Sequence, residues 1–240
     1  MEHAFFNRLG GKSTGIFKSL NCGPGSSDKN KNIQKNLKIV GNKIKTKRKK
    51  IILLNQVHGN KFHYISTNSK LKNKFEGDAL VTDRKNTPIA VLTADCAPIL
   101  VYDDSKEMIA AIHAGWKGAY KSIVKKVVKF MIKKGCSPQN ITAAIGPCIS
   151  SNNYEVREDF IKKFIKKDKK NIIFFKKAKH KNYFNLNKYI HFQLKSLSIK
   201  KIDIIDKDTF IRKNNLFSAR RSISRNENDY GRNISIIMIN

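Results

Sequence analysis

The chain has 240 residues, 40% of them hydrophobic, which suits one domain over residues 1–240 with a sizeable core, and no apolar run reaches the roughly 18 residues of a membrane span. Its formal charge of +31 points toward nucleic acid or an anionic surface, yet 40 Lys stand against 9 Arg, and Lys, Asn and Ile, residues with A/T-rich codons, supply 95 of the 240 positions. Codon bias accounts for the excess, which reads as a solvated basic surface, because Lys lacks the planar fork with which Arg reads phosphate.

In chain order, the polar and basic stretch 23–50 (GPGSSDKNKNIQKNLKIVGNKIKTKRKK) predicts a loop with one short helix. Short β-branched runs follow, 51-IILLNQV-57, 78-DALVTD-83, 88-PIAVLTA-94, 98-PILVYD-103 and 108-MIAAIHA-114, and each predicts a buried strand. From 118 to 134 the period changes. Tyr120, Ile123, Val124, Val127, Val128 and Met131 share one helical face, Lys121, Lys125, Lys126, Lys129 and Lys133 the other, and Gly135 with Pro138 ends the helix. Beyond it the pattern predicts a strand at 141–146, a helix over 155–167, an apolar run at 172–175, a helix over 186–197, and strands near 202–205 and 234–239. Strands and helices without steady alternation predict an α+β fold, with mixed sheets packed between helices in an α/β/β/α-like sandwich.

The first twenty residues, MEHAFFNRLGGKSTGIFKSL, lack a basic then apolar leader, so a soluble cytoplasmic protein is expected. Cys22, Cys96, Cys136 and Cys148 form no C-x-x-C pair and read as reduced thiols. Three segments, 55-NQVHGN-60, 93-TADCAP-98 and 112-IHAGWKG-118, each put a metal-capable or nucleophilic side chain at a strand end beside small residues. Two His and one Cys would leave a tetrahedral ion with an open position, although the spacings match no local zinc-finger pattern. Each residue also has a plain structural reading: His58 and His113 as satisfied strand-end histidines, Cys96 as a small buried hydrophobe. Gly59, Gly115 and Gly118 allow close backbone approach, and a helix starting after Trp116 would aim free N–H groups at an anion beside His113. Trp116, the only tryptophan, could stack on a planar base or fill the core.

The ordered set 7-NRLGGKSTGIFKSLN-21, 56-QVHG-59, 77-GDALVTD-83, 94-ADC-96, 113-HAGWKG-118, 146-GPCISSNNYEV-156, 217-FSARRS-222 and 231-GR-232 resembles the YfiH/YlmD laccase-domain family, from about Phe5 to Ile239. That resemblance implies a purine nucleoside phosphorylase that also deaminates adenosine and cleaves methylthioadenosine, with a nucleoside and phosphate as its small-molecule partners. It also implies zinc held by His58, Cys96 and His113, copper being the ion of the family's older multicopper polyphenol oxidase label. The cations implied for phosphate are Arg8, Lys117, Arg220 and Arg221, gathered with the helix N-terminus into one pocket. Three departures bear on substrate preference: Lys117 stands where the family has Arg, Asp208 where it often has Cys, and FSARRS continues as ISRNENDYGR without the usual Asp-Gly turn.

Three rival readings remain at this stage. A cysteine hydrolase, with peptidoglycan precursors as one candidate substrate, would use Cys96 as nucleophile, His113 as base and Asp95 or Asp83 as orienter, with no metal. A basic RNA-binding module lacks the expected clusters of aromatic residues with Arg. A multicopper oxidase would need more His ligands than the chain's six can spare.

Overall fold

A computed structural model describes residues 1–46, 50–68 and 75–240. Residues 47–49 of the predicted 23–50 loop lie outside the described residues. Among those described, no helix is long and apolar enough to cross a membrane.

Two sheets stack face to face. The larger contains β2 (Phe62–Ile65), β3 (Ala79–Thr82), β5 (Ala97–Asp103), β6 (Met108–Ala114), β7 (Ile141–Ile145) and β11 (Lys201–Ile204), in the order β11-β7-β5-β6-β3-β2. Its outer pairs, β11 with β7 and β2 with β3, are parallel, and the inner pairs are antiparallel. The smaller is antiparallel, β1 (Glu2–Phe5), β12 (Asn233–Met238) and β4 (Ile89–Thr93), in the order β1-β12-β4.

Strand alternation assigns side chains to three apolar layers. Leu80, Leu100, Ile109 and Ala111 meet Ile89, Val91 and Ile237 between the two sheets. Ala90, Leu92, Ile234 and Ile236 face the other way and bury Val40 and Ile44 at the end of α1 (Asn30–Lys43). On the far side, Ile99, Val101, Ala110 and Ile112 pack against α3 (Ile123–Lys133) and α5 (Leu186–Lys195). The result is helix, sheet, sheet, helix. This is the mixed sandwich expected, and it differs from a doubly wound parallel sheet because both sheets hold antiparallel pairs.

Several predicted elements differ in detail. Residues 51–57 form no strand; their only β-pairing is through isolated bridges at Ile52 and Asn55. The Gln56 side-chain amide takes the place of a strand partner, donating to the Leu92 carbonyl and accepting from its N–H, both at 2.8 Å. The helix expected over 118–134 is two helices, α2 (Trp116–Tyr120) and α3, broken at Ser122, whose φ of 61° is left-handed. Glu155 and Val156 pair as the short strand β8, so α4 (Glu158–Lys167) begins later than expected. Beyond a 3₁₀ turn over Lys169–Phe174, β9 (Phe175–Ala178) and β10 (Lys181–Phe184) form a small sheet with β8. A last short helix, α6 (Ala219–Ile223), lies just before β12.

Candidate metal centre and adjoining cleft

The site lies at one end of the larger sheet, and strand register builds it. Antiparallel pairing sets Ala97 opposite Ala114, so Cys96, one residue before β5, comes level with Gly115 just past β6. Pairing of Ala79 with Ile112 likewise brings Asp78 level with His113, whose N–H donates to the Asp78 carbonyl at 2.7 Å. His58 arrives from the loop ahead of β2 in a left-handed conformation, φ 57°. One ligand-capable atom from each of His58, Cys96 and His113 lies within 4.8 Å of the others, and the two imidazoles meet edge to face with centroids 4.7 Å apart.

Asp78, fully buried, ties the His58 and His113 segments together. One oxygen accepts from His113 Nδ1 at 2.8 Å and from the His58 N–H at 2.9 Å; the other accepts from the Gly59 N–H at 2.6 Å. That bond occupies Nδ1 of His113 and leaves Nε2 as the free donor atom, the arrangement of a carboxylate behind a metal-ligating histidine. Burial works against the Asp78 charge, but these hydrogen bonds and His113 hold its carboxyl below the usual range. Burial likewise opposes ionisation of Cys96, but the His113 charge and hydrogen bonds to both histidines bring the thiol down to about 7. For His113, burial is outweighed by Cys96 and Asp78, which raise it to about 9.

The glycines expected near the site have steric reasons. A Cβ on Gly115 would lie 2.8 Å from Cys96 Sγ and 3.1 Å from a His58 ring carbon, and one on Gly118 would lie 2.8 Å from the Gly59 carbonyl oxygen. The donor set, its free Nε2, a thiol poised to ionise and an exposed His58 side all fit a four-coordinate ion with one open position, the pattern of zinc.

Immediately past Gly115, Trp116, Tyr154, Phe160, Arg157 and Arg220 line a cleft of about 560 Å³. Trp116 packs on Phe160 with centroids 4.9 Å apart. The Arg220 guanidinium lies 5.5 Å from the Tyr154 ring centroid and donates to the Glu155 carbonyl at 3.2 Å. Burial, reinforced by the negative charge of Cys96, raises the Tyr154 phenol well above its ordinary value.

The expected phosphate residues do not share one pocket. Arg220 lines the cleft, and exposed Lys117 sits beside it with Nζ 5.7 Å from the Trp116 centroid. Arg8 and Arg221 line a separate cavity of about 200 Å³. The helix N-terminus expected beside His113 belongs to α2, whose five residues carry little dipole. The orienters considered for a cysteine nucleophile lie elsewhere: Asp95 accepts from the Arg220 N–H and the Thr209 hydroxyl, each at 2.6 Å, and Asp83 accepts from the Tyr64 hydroxyl and the Thr67 N–H. Sequence reading missed Asp78, Tyr154 and Phe160. Only the Gly-Asp opening of 77-GDALVTD-83 signalled Asp78, since a carboxylate heading a buried strand needs partners.

The family model described as multi-copper polyphenol oxidoreductase laccase matches residues 2–240. Purine nucleoside phosphorylase RC0672 of Rickettsia conorii is 36% identical over 186 residues, covering 77% of this chain and 75% of its own length. The Bacteroides thetaiotaomicron protein named purine nucleoside phosphorylase is 31% identical over 233 residues, covering 92% and 86%. Among solved structures, the hypothetical protein YfiH of Bacillus licheniformis superposes with a TM-score of 0.90 at 27% identity, over 99% of this chain and 92% of that one. YlmD of Geobacillus stearothermophilus shares the fold, with a TM-score of 0.87 at 22% identity over 99% and 91%.

Proposed function

Since the chain belongs to the multi-copper polyphenol oxidoreductase laccase family, and relatives within it are named purine nucleoside phosphorylase, we propose that it phosphorolyses purine nucleosides in the cleft next to His58, Cys96 and His113. The convergence of those three side chains around one buried carboxylate carries the reading. His58, Cys96 and His113 would hold a zinc ion. When bound, such an ion supplies Lewis acidity and lowers the pKa of water, the chemistry adenosine deamination needs as a side activity.

The other steps rest on the chain's own groups. Trp116, Tyr154 and Phe160 give the cleft aromatic faces for a purine, whether of adenosine, inosine, guanosine or methylthioadenosine. Arg220 and Lys117 supply positive charge for the phosphate co-substrate. A phosphate oxygen bonds to the ribose C1′ as the bond from C1′ to the base breaks, and the base leaves with the electron pair and takes up a proton. Asp78 fixes His113 and the His58 loop throughout, so the site is organised before substrate arrives.

One observation favours a second reading. Cys96, His113 and Asp78 stand in the order nucleophile, base, orienter, with the thiol drawn to about 7, which suits a cysteine hydrolase with Asp78 in place of Asp95 or Asp83. Incubation with inosine or adenosine and phosphate separates the two. The phosphorylase reading expects free base and ribose 1-phosphate, abolished by a chelator; hydrolytic activity that survives chelation and needs no phosphate favours the cysteine nucleophile.

A further inference from the structure

The second cavity holds more positive charge than the cleft does. Arg8, Arg212, Arg221 and Arg225 line its roughly 200 Å³, with Glu227 as the one carboxylate among the lining residues. In a chain with 9 Arg against 40 Lys, four arginines gather here and two more, Arg157 and Arg220, line the cleft. Codon bias favours Lys everywhere, so arginine concentrated around two cavities marks positions where the planar fork matters.

The four differ in how they are held. Arg8 donates to the Lys18 and Ile16 carbonyls and lies 4.6 Å from the Phe217 centroid. Arg221, 7% exposed, donates to the Thr209, Phe210 and Leu216 carbonyls. These bonds pin two guanidinium groups without neutralising them, because a carbonyl carries no net charge. Arg212 and Arg225 are exposed and make no side-chain hydrogen bond or salt bridge among the described residues. Burial and the like charges of Arg221 and Arg212 push the Arg8 pKa down, which marks the crowding of positive charge around this cavity. A dianion would relieve it through charge-assisted bidentate bonds.

We propose that this cavity is a second anion site, which takes a phosphate group apart from the nucleoside cleft. The two cavities share no lining residue. Neighbours on α6 divide between them, Arg220 reaching the Glu155 carbonyl on one side and Arg221 the Leu216 carbonyl on the other. The second cavity has no metal-capable cluster and one aromatic residue, Phe217, already covered by Arg8. It is equipped for an anion alone. The phosphate group could belong to inorganic phosphate, pyrophosphate or a nucleotide.

Calorimetric titration of the full chain at physiological salt, without nucleoside, tests the site with inorganic phosphate, pyrophosphate and adenosine monophosphate as probes. Removing two exposed charges in the Arg212→Gln, Arg225→Gln double variant is expected to weaken binding of the preferred probe at least tenfold, while the Lys129→Gln, Lys133→Gln double variant on α3, which removes the same charge from residues lining neither cavity, leaves it unchanged. Arg225→Lys, which keeps the charge and removes the fork, is expected to fall between. Tighter binding of pyrophosphate or phosphate than of the monophosphate identifies a bare anion, and the reverse order a nucleotide. Unchanged affinity in the Arg212→Gln, Arg225→Gln variant, an equal loss in the Lys129→Gln, Lys133→Gln variant, or no binding of any probe overturns the proposal. Because nucleoside is absent, each result stands apart from whether the cleft carries out phosphorolysis.

Discussion

The lysine face of α3 and the ligand cluster at the sheet end are both rich in ionisable side chains, but the two regions are specified in different ways. On α3 the buried stripe Ile123, Val124, Val127, Val128 and Met131 decides where the helix sits, and Lys126, Lys129 and Lys133 occupy whatever faces water. At the sheet end nothing is left over. His58, Cys96 and His113 come from three separated segments, Asp78 bonds to two of them, and Gly115 leaves room for the third. Charge on the helix is composition, whereas charge at the cluster is geometry, and substitutions should separate the two by size of effect.

The largest effect is expected at Asp78. Asp78→Ala leaves a buried imidazole without its carboxylate and frees the His58 loop, a loss of about 3–5 kcal/mol that lowers the melting midpoint by roughly 10 °C. Thermal unfolding monitored by circular dichroism measures it, and a shift no greater than that of a surface variant would break the contrast. Gly115→Ala is expected to come next, since the added Cβ would press on Cys96 Sγ, at a cost of about 1–3 kcal/mol and with weaker metal uptake. A competitive zinc titration reads that loss.

Protonation sharpens the same contrast. The His113 pKa is raised to about 9, so the stability it adds to the metal-free protein is present at low pH and lost as pH rises through 9. The Cys96 pKa is lowered to about 7, so its contribution is present at high pH and lost as pH falls through 7. Between these values the pair is thiolate and imidazolium, and a metal must displace the His113 proton. Zinc binding should therefore release about one proton per ion between pH 7 and 9, more below and fewer above, because the ligands bind only when deprotonated. Calorimetry in buffers of different ionisation enthalpy counts them. The smallest effect is expected on α3, where Lys126→Gln, Lys129→Gln and Lys133→Gln together should change stability by about 0.5 kcal/mol or less in a denaturant titration.

What the sequence disclosed follows the same division. The β-branched runs from Ile89 to Ala114 and the 3.6-residue stripe of α3 were legible because burial writes a period into the chain. Residues 51–57 misled for a physical reason, since an apolar run does not reveal that a glutamine side chain will stand in for a strand. His58, Cys96 and His113 could be picked out as metal-capable residues beside glycines, but their convergence depends on register across β3, β5 and β6. Asp78 was invisible in its role for the same reason. So was the division of Arg220 from Arg221, because adjacent residues on a short helix point apart and only the packing around α6 says into which cavity each goes.

Metal content per chain, measured by inductively coupled plasma mass spectrometry on wild type and Cys96→Ala purified without added ions, tests the central claim most directly. The account predicts about one zinc ion per wild-type chain and almost none in a Cys96→Ala protein that still unfolds cooperatively. Wild-type protein that carries no metal yet is fully active in chelator, or Cys96→Ala protein that keeps its ion, would contradict it.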